Sequence, residues 1–391
     1  MKVAQVCPFF FPVDGGVENH VLNISKELVK RGHEVDIYTS ADTREHSSLG
    51  PFDSVQGLSV RRSRVIGRMG EFASFWPGFA PQVLKGDYDL VHAHSYRHPH
   101  TDMSALIAKV TGAASVLTGH SPFHPPGVRS NLSQALVPAY DELVAPFTLR
   151  AYSRVISVTK AEADLLIGLG APSSRVSVIP NGVEAVHFEK ADFQAFIKKF
   201  SLEGKRVLLY LGRINRTKGV EVLLRAFAKA SPKIPDVQLV VAGPATGPGE
   251  VRYSDNLRAL SDTLGISERV SFTGRLSEAD KLAALEYCSA LVLPSLYEPY
   301  GIVLLEAAAH GKPSIATKTD GPISLIRNGV NGLLVDPGDE QSLAGALSLL
   351  MNDEGLRSKL SAEARLTASE FRWERIVDKI EGVYSSVRPA S

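Results

Sequence analysis

Short, β-branched apolar runs alternate with segments of helical period along the whole chain, and this alternation restricts the fold more than any other feature. Strands that are apolar on both faces belong to parallel sheets with helices on each side; a half-solvated antiparallel strand alternates polar and apolar residues. The first half supplies "KVAQVC", "EVDIYT", "LSVRRSRV", "DLVHAH", "ASVLTG", "RVISVT" and "RVSVIP", and the second "RVLLYLG", "VQLVVAG", "RVSFTG", "ALVLPS" and "PSIAT". Each half therefore builds its own sheet, and the expected class is α/β with two Rossmann-like, doubly wound domains. The pattern breaks at "IPNGVEAVHFEK", where Pro180 and Asn181-Gly182 signal a turn. This predicts an N-terminal domain over 1–184 and a second over 185–370. Residues 371–391 read as a last helix, with Trp373, Ile376, Ile380 and Val383 at helical spacing, that crosses back to the first domain.

In open α/β sheets ligands bind beyond the carboxyl ends of the strands, so the loops there hold the candidate chemistry, and two such domains facing each other would frame a cleft. In "PSLYEPYGIVLLEAAAHGKPSIA" a strand ends at Pro294, "LYEPYG" turns, and a helix runs to Gly311. Glu298 falls in the turn and Glu306 on the second turn of the helix, among leucines and alanines that leave it little solvent face. A carboxylate there needs a partner to offset its burial. The backbone N–H groups of Gly301, Ile302 and Val303 open the helix and suit a phosphate, while ionised carboxylates offer acceptors only and suit vicinal hydroxyls. A sugar nucleotide presents both groups. Upstream, "LGRINRTKG" brings Arg213 and Lys218 to the end of another strand, where cations stabilise a diphosphate leaving group. The order of residues is not that of a P-loop.

The first domain repeats the plan in "PVDGGVENHVLNISKELV": Gly15-Gly16 allows backbone to approach a ligand, and Val17, Val21, Ile24 and Leu28 form the buried stripe. It is not the dinucleotide fingerprint, and Asp36 lies inside the following strand, which makes a nicotinamide enzyme a distant reading. Six of eleven histidines fall between His92 and His124. No accompanying Cys/His or "HExxH" spacing supports zinc, so no metal is expected; His120, at the end of "ASVLTG", is expected to reach the ligand. Asp87 and Asp89 spell D-x-D ahead of their strand, at the wrong end of the sheet.

Taken together, "DGGVENHV", Gly119-His120, "PNGV", "GRINRTKG" and "EPYGIVLLEA" resemble family 4 of the retaining glycosyltransferases, which have the two-domain GT-B fold, and within it the phosphatidylinositol mannosyltransferases. The resemblance covers almost the whole chain and departs at Tyr300, where phenylalanine is common. It implies that Arg213 and Lys218 bind the donor diphosphate, Glu298 the hydroxyls of the transferred sugar and Glu306 the ribose. It further implies donors from Gly301, Ile302 and Val303, Gly16 beside the diphosphate, His120 at the sugar, and no bound metal or other cofactor. The donor would be a nucleotide-diphosphate sugar carrying a hexose of mannose, glucose or N-acetylglucosamine type. The acceptor would be a hydroxyl of a lipid, glycan or small molecule. A sugar-nucleotide epimerase of the same fold and a catalytically silent nucleotide-sugar-binding protein are the alternatives.

Composition bounds the partners. With 43 basic and 42 acidic residues there is no overall field for nucleic acid, and none is expected as a partner. No run approaches the roughly 18 apolar residues of a membrane span, and Cys7 and Cys288 read as buried thiols. The expected location is cytoplasmic; the stretch holding Arg61, Arg62, Arg64, Arg68, Phe72, Phe75 and Trp76 reads either as a peripheral contact with an anionic inner membrane face or, at least as readily, as a solvated strand edge.

Overall fold

The computed structural model describes residues 1–13, 15–43, 47–69, 73–120 and 131–387. Phe72 and His124, named above, lie outside the described residues. The chain divides into two compact units, Met1–Gly182 with Trp373–Ser391, and Val183–Arg372. The division falls two residues before the boundary read from the turn signal at residue 184, and the final helix belongs to the first unit.

The first unit contains β1 (Lys2–Val6), β2 (Glu34–Ser40), β3 (Phe52–Val55), β4 (Leu58–Ser63), β5 (Gly67–Met69), β6 (Ala73–Phe75), β7 (Leu90–His94), β8 (Ala114–Thr118), β9 (Arg154–Ser157) and β10 (Val176–Val178). Among the described residues eight of them form one sheet in the order β10-β9-β8-β7-β1-β2-β4-β3, parallel except for β3, and β5 and β6 form a separate antiparallel pair. From β1 the chain moves outward through β2 and β4, then returns to place β7 on the other side of β1. The gap between β1 and β7 is thus the switch point where a crevice opens at the carboxyl ends.

Alternate residues of β1 enter two cores. Val3 packs with Ile24, Leu28 and the apolar stripe of the helix Trp373–Ser385, while Ala4 and Val6 pack with Tyr38, Trp76 and Phe79 on the other face. Arg31 holds this last helix by bonding Asp378 at 2.7 Å and also Glu381, which His33 contacts at 2.8 Å. The glycine of "PNGV" lies under Trp373: a Cβ at Gly182 would fall 2.4 Å from the indole.

The second unit contains β11 (Arg206–Leu211), β12 (Val237–Ala242), β13 (Val270–Gly274), β14 (Ala290–Leu293), β15 (Ser314–Thr317) and β16 (Gly332–Val335), in one parallel sheet ordered β13-β12-β11-β14-β15-β16. Its switch point lies between β11 and β14.

Two surface expectations change in the structure. Arg62 is buried, donating to the Phe11 carbonyl at 2.6 Å and to Asp53 at 3.2 Å, and Trp76 is a core side chain. Arg68 is tied to Asp42 at 2.6 Å. Arg62 and Trp76 are therefore spent on folding, while Arg64, Ile66, Arg68 and Phe75 remain exposed. Among the described residues no helix is long and apolar enough to cross a membrane. Cys7 and Cys288 are buried and unpaired, and burial pushes the Cys288 thiol up to about 12.

Candidate active site

In the second unit both predicted loops leave the sheet at its switch point. Beyond β11 the chain passes Gly212 and Arg213, makes one 3-10 turn at Arg216–Lys218, and enters the helix Val220–Ala230 through Gly219, whose φ of 66° is left-handed. Beyond β14 it passes Pro294 and Ser295 to Glu298. The loops are sewn together: Leu296 and Tyr297 donate their N–H groups to the Thr217 carbonyl at 2.8 and 3.2 Å. A Cβ on Gly219 would fall 2.1 Å from the Pro294 oxygen, so that position requires glycine both for conformation and for space.

This stitching brings Lys218 Nζ to 2.7 Å from Glu298 Oε2, with both side chains mostly buried. Ser295 Oγ also donates to that oxygen at 3.4 Å, and the Glu298 carbonyl accepts the Gly321 N–H at 3.1 Å. Arg213 stands on the exposed side with no ion pair among the described residues, its carbonyl held by Tyr210 Oη at 2.7 Å. Gly301 caps the helix Ile302–Ala309 at φ 84°, and a Cβ there would press on Leu304 at 3.1 Å and on the Glu298 side chain at 3.3 Å. A left-handed glycine therefore sets both the start of the helix and the room for Glu298.

Glu306 is buried on that helix, and its partner is one the local sequence pattern did not nominate. Lys281, from the helix Glu278–Tyr287, donates to Oε1 at 2.8 Å, and His187 Nε2 lies 3.6 Å from the same oxygen. Burial opposes the charge of Glu306, but the Lys281 ammonium more than offsets it and holds the carboxyl below the ordinary glutamate range. Burial lowers His187 to about 4, so near neutrality it stands beside Glu306 as an uncharged ring and adds no ion pair.

In the first unit the helix Gly16–Lys30 starts at the carboxyl end of β1. Gly15 is extended, and a Cβ on Gly16 would meet nothing within 4 Å, so neither glycine is demanded by the turn itself and the space before Gly16 is open. The histidine-rich run separates into distinct roles. His92 spends both ring nitrogens, on Tyr384 Oη and Thr118 Oγ1, each at 2.7 Å. His100 contacts the His94 carbonyl at 2.8 Å and packs against Trp76. His120 follows β8 with a left-handed φ of 60°, a costly conformation for a non-glycine residue, and its Nε2 lies 3.0 Å from His94 Nδ1. His20, absent from the sequence-based candidates, stacks edge-on against His120 at 4.6 Å between ring centroids. Gln5 in β1 binds His94 Nε2 at 2.7 Å and Tyr384 at 3.3 Å.

Two doubly wound units, one with paired cationic and carboxylate side chains at its switch point, match known proteins over nearly the whole length. The family model described as Glycosyltransferase Family 4 matches residues 14–186, and Glycosyl transferases group 1 matches residues 192–367. D-inositol 3-phosphate glycosyltransferase 1 of Catenulispora acidiphila is 30% identical over 95% of this chain and 91% of its own. The phosphatidyl-myo-inositol mannosyltransferase of Mycolicibacterium smegmatis is 29% identical over 100% and 95%. The solved structure of Anabaena Alr3699/HepE in complex with UDP and glucose superposes with a TM-score of 0.77 at 23% identity, covering 99% of this chain and 100% of that one. The fold is that of the GT-B glycosyltransferases. The chain belongs to glycosyltransferase family 4 and is similar to the phosphatidyl-myo-inositol mannosyltransferases within it.

Proposed function

We propose that the protein transfers a hexose from a nucleoside diphosphate sugar to a hydroxyl acceptor with retention at the anomeric carbon, and without a metal ion at the diphosphate. The observation that carries this reading is the placement of Arg213 and of the Lys218–Glu298 pair at the carboxyl ends of β11 and β14, on either side of one switch point. An exposed guanidinium and a paired ammonium suit a diphosphate. Glu298 keeps lone pairs beyond the one facing Lys218, which suit sugar hydroxyls, and Glu306 suits a ribose diol. Gly301, Ile302 and Val303 offer backbone donors at the helix start. For the first unit the proposal assigns Gly15, Gly16 and His120 to substrate contact.

In the proposed step the bond from the anomeric carbon to the diphosphate oxygen breaks while the acceptor oxygen bonds the same face. The acceptor proton passes to the leaving phosphate, whose growing charge Arg213, Lys218 and the helix start stabilise. The names of the relatives place inositol compounds first among acceptors to try, inositol phosphate and phosphatidylinositol, the second presented in vesicles.

The test is a thermal-shift series with GDP, UDP, ADP and their sugar conjugates. A ligand at about 100 times its Kd adds roughly 2.7 kcal/mol. A shift of several degrees with one base names the donor class, and incubation with acceptor then gives a product whose anomeric configuration NMR reads. Absence of any shift with all three overturns the assignment.

A further inference from the structure

We propose that Gln5, acting through His94, fixes the ring proton of His120 on Nε2, so that His120 meets a substrate hydroxyl as a hydrogen-bond acceptor. The inference rests on the assignment of His120 to substrate contact made above and gives that contact its chemistry. A relay of hydrogen bonds runs through the first unit to this ring. Thr118 Oγ1 lies 2.7 Å from His92 Nε2, His92 Nδ1 lies 2.7 Å from Tyr384 Oη, and Gln5 Nε2 donates to Tyr384 Oη at 3.3 Å. The Gln5 amide oxygen lies 2.7 Å from His94 Nε2, and His94 Nδ1 lies 3.0 Å from His120 Nε2. Thr118, His92, Tyr384, Gln5 and His94 are all fully buried, so the members of the relay, and not solvent, set where its protons lie.

A neutral imidazole has one donor and one acceptor nitrogen, so the direction of one link dictates the next. The amide oxygen of Gln5 accepts only, which puts the His94 proton on Nε2 and leaves its Nδ1 a lone pair. That lone pair takes the N–H of His120 Nε2, and His120 Nδ1 is left as an acceptor. On the other side Tyr384 accepts from the Gln5 amide and donates to His92, whose Nε2–H points to Thr118. Gln5 is the one member that sets the direction: imidazoles and hydroxyls reverse by moving a proton, but an amide reverses only by turning over. The His120 ring is held edge-on by His20 at 4.6 Å between centroids, and its φ of 60° is a strain that persists where the surroundings over-determine it. His120 Nδ1 has no hydrogen-bond partner among the described residues, and the residue is only partly buried, which leaves that lone pair to a ligand. A diphosphate near neutrality would set its own lone pairs against it, whereas a hydroxyl donates. The group met by His120 is therefore the O–H of a sugar or polyol and not a phosphate oxygen.

The test is long-range 1H–15N NMR of the full chain without ligand, with His120→Gln to assign the ring, since these spectra show which nitrogen carries the proton. In the native protein it should be Nε2. Gln5→Met removes the acceptor for His94 Nε2–H; a buried N–H is less tolerated without a partner than a lone pair, so the His94 proton should move to Nδ1 and drive that of His120 to Nδ1 as well. A merely structural role for Gln5 would not reverse a tautomer. GDP, UDP and ADP, their glucose or mannose conjugates, and inositol phosphate are then added to the native protein. A conjugate that moves the His120 Nδ1 signal toward that of a hydrogen-bonded acceptor, where its free diphosphate does not, places the hydroxyl on the transferred sugar. Movement with inositol phosphate instead places it on the acceptor. A native His120 proton on Nδ1, a tautomer that folded Gln5→Met leaves unchanged, or an Nδ1 signal that no bound conjugate or inositol phosphate moves would each overturn the proposal. If none of these ligands raises the melting temperature, the transferase reading fails, and the ligand-free spectra still decide the relay.

Discussion

Lys218 donates to Glu298 across 2.7 Å, although the two residues are eighty positions apart and arrive on different loops. The ammonium suited to a diphosphate and the carboxylate suited to sugar hydroxyls are thus a single preformed unit, and each holds the other in place before any donor binds. Breaking a mostly buried pair from one side leaves a charge without its partner, which costs more than the pair contributes.

Lys218→Ala and Glu298→Ala are each expected to lower kcat/KM by roughly 100-fold or more, the scale for losing one charge-stabilising group. The double variant should lose much less than the product of the two, because the residues act as one unit. Steady-state kinetics on all four proteins, with circular dichroism to show that they fold, measures this. Fully additive losses would mean that the pair is a packing feature.

Lys281 supports Glu306 in the same way, and pH separates its contribution. Glu306 has a folded pKa below its ordinary value of 4.5, so the stability it adds is present above that value and is lost as pH falls through the lower, folded one. Donor KM in the native protein should therefore stay flat from pH 7 down to the ordinary glutamate range. In Lys281→Met, burial acts on Glu306 without the ammonium, and KM should already rise at higher pH while kcat near neutrality changes little. A KM profile identical to that of the native protein would show that Lys281 is not needed to keep Glu306 ionised.

Which of these relationships the sequence discloses depends on their range. The strands of both sheets stand out because buried parallel strands are continuous apolar runs, while β3 does not, being an exposed edge of "FDSV", nor does β16, four residues bracketed by glycine and proline turns. His20 was legible in principle: it follows Val17 by three and precedes Ile24 by four, on the stripe already read as buried. Gln5 was legible too, as the one polar residue inside the apolar run that follows Lys2 in β1. Lys281 was not, since nothing local ties it to a glutamate 25 residues later. The Lys218–Glu298 contact depends on the crossing of two loops that periodicity does not describe.

Gly219 tests that crossing. Alanine there must hold a φ of 66° and place its Cβ 2.1 Å from the Pro294 oxygen, so the "GRINRTKG" loop has to move off the end of β14. A left-handed non-glycine residue and forced overpacking together cost about 2 to 6 kcal/mol. Gly219→Ala should lower the melting temperature and remove activity, whereas Gly204→Ala, also left-handed but with open space around it, should lower stability modestly and leave activity intact. Equal activities in the two variants would separate the loop crossing from function.

The acid limb of stability follows from the histidines of the first unit. Burial lowers His20 to about 4 and His100 to about 3, and drives His92, His94 and His120 well below the ordinary 6.5, so the folded unit holds these rings neutral while the unfolded chain protonates them. Between pH 6.5 and about 4 the unfolded state binds more protons, and stability must fall as pH falls. A shift of the size given for His20 corresponds by itself to on the order of 3 kcal/mol. Urea unfolding followed at pH 7, 6, 5 and 4.5 should show a midpoint that declines steadily through this window. The decline should shrink in His100→Gln if that variant folds, because one of the rings that must charge is gone. A midpoint independent of pH across the window would mean that the folded protein already holds these rings protonated.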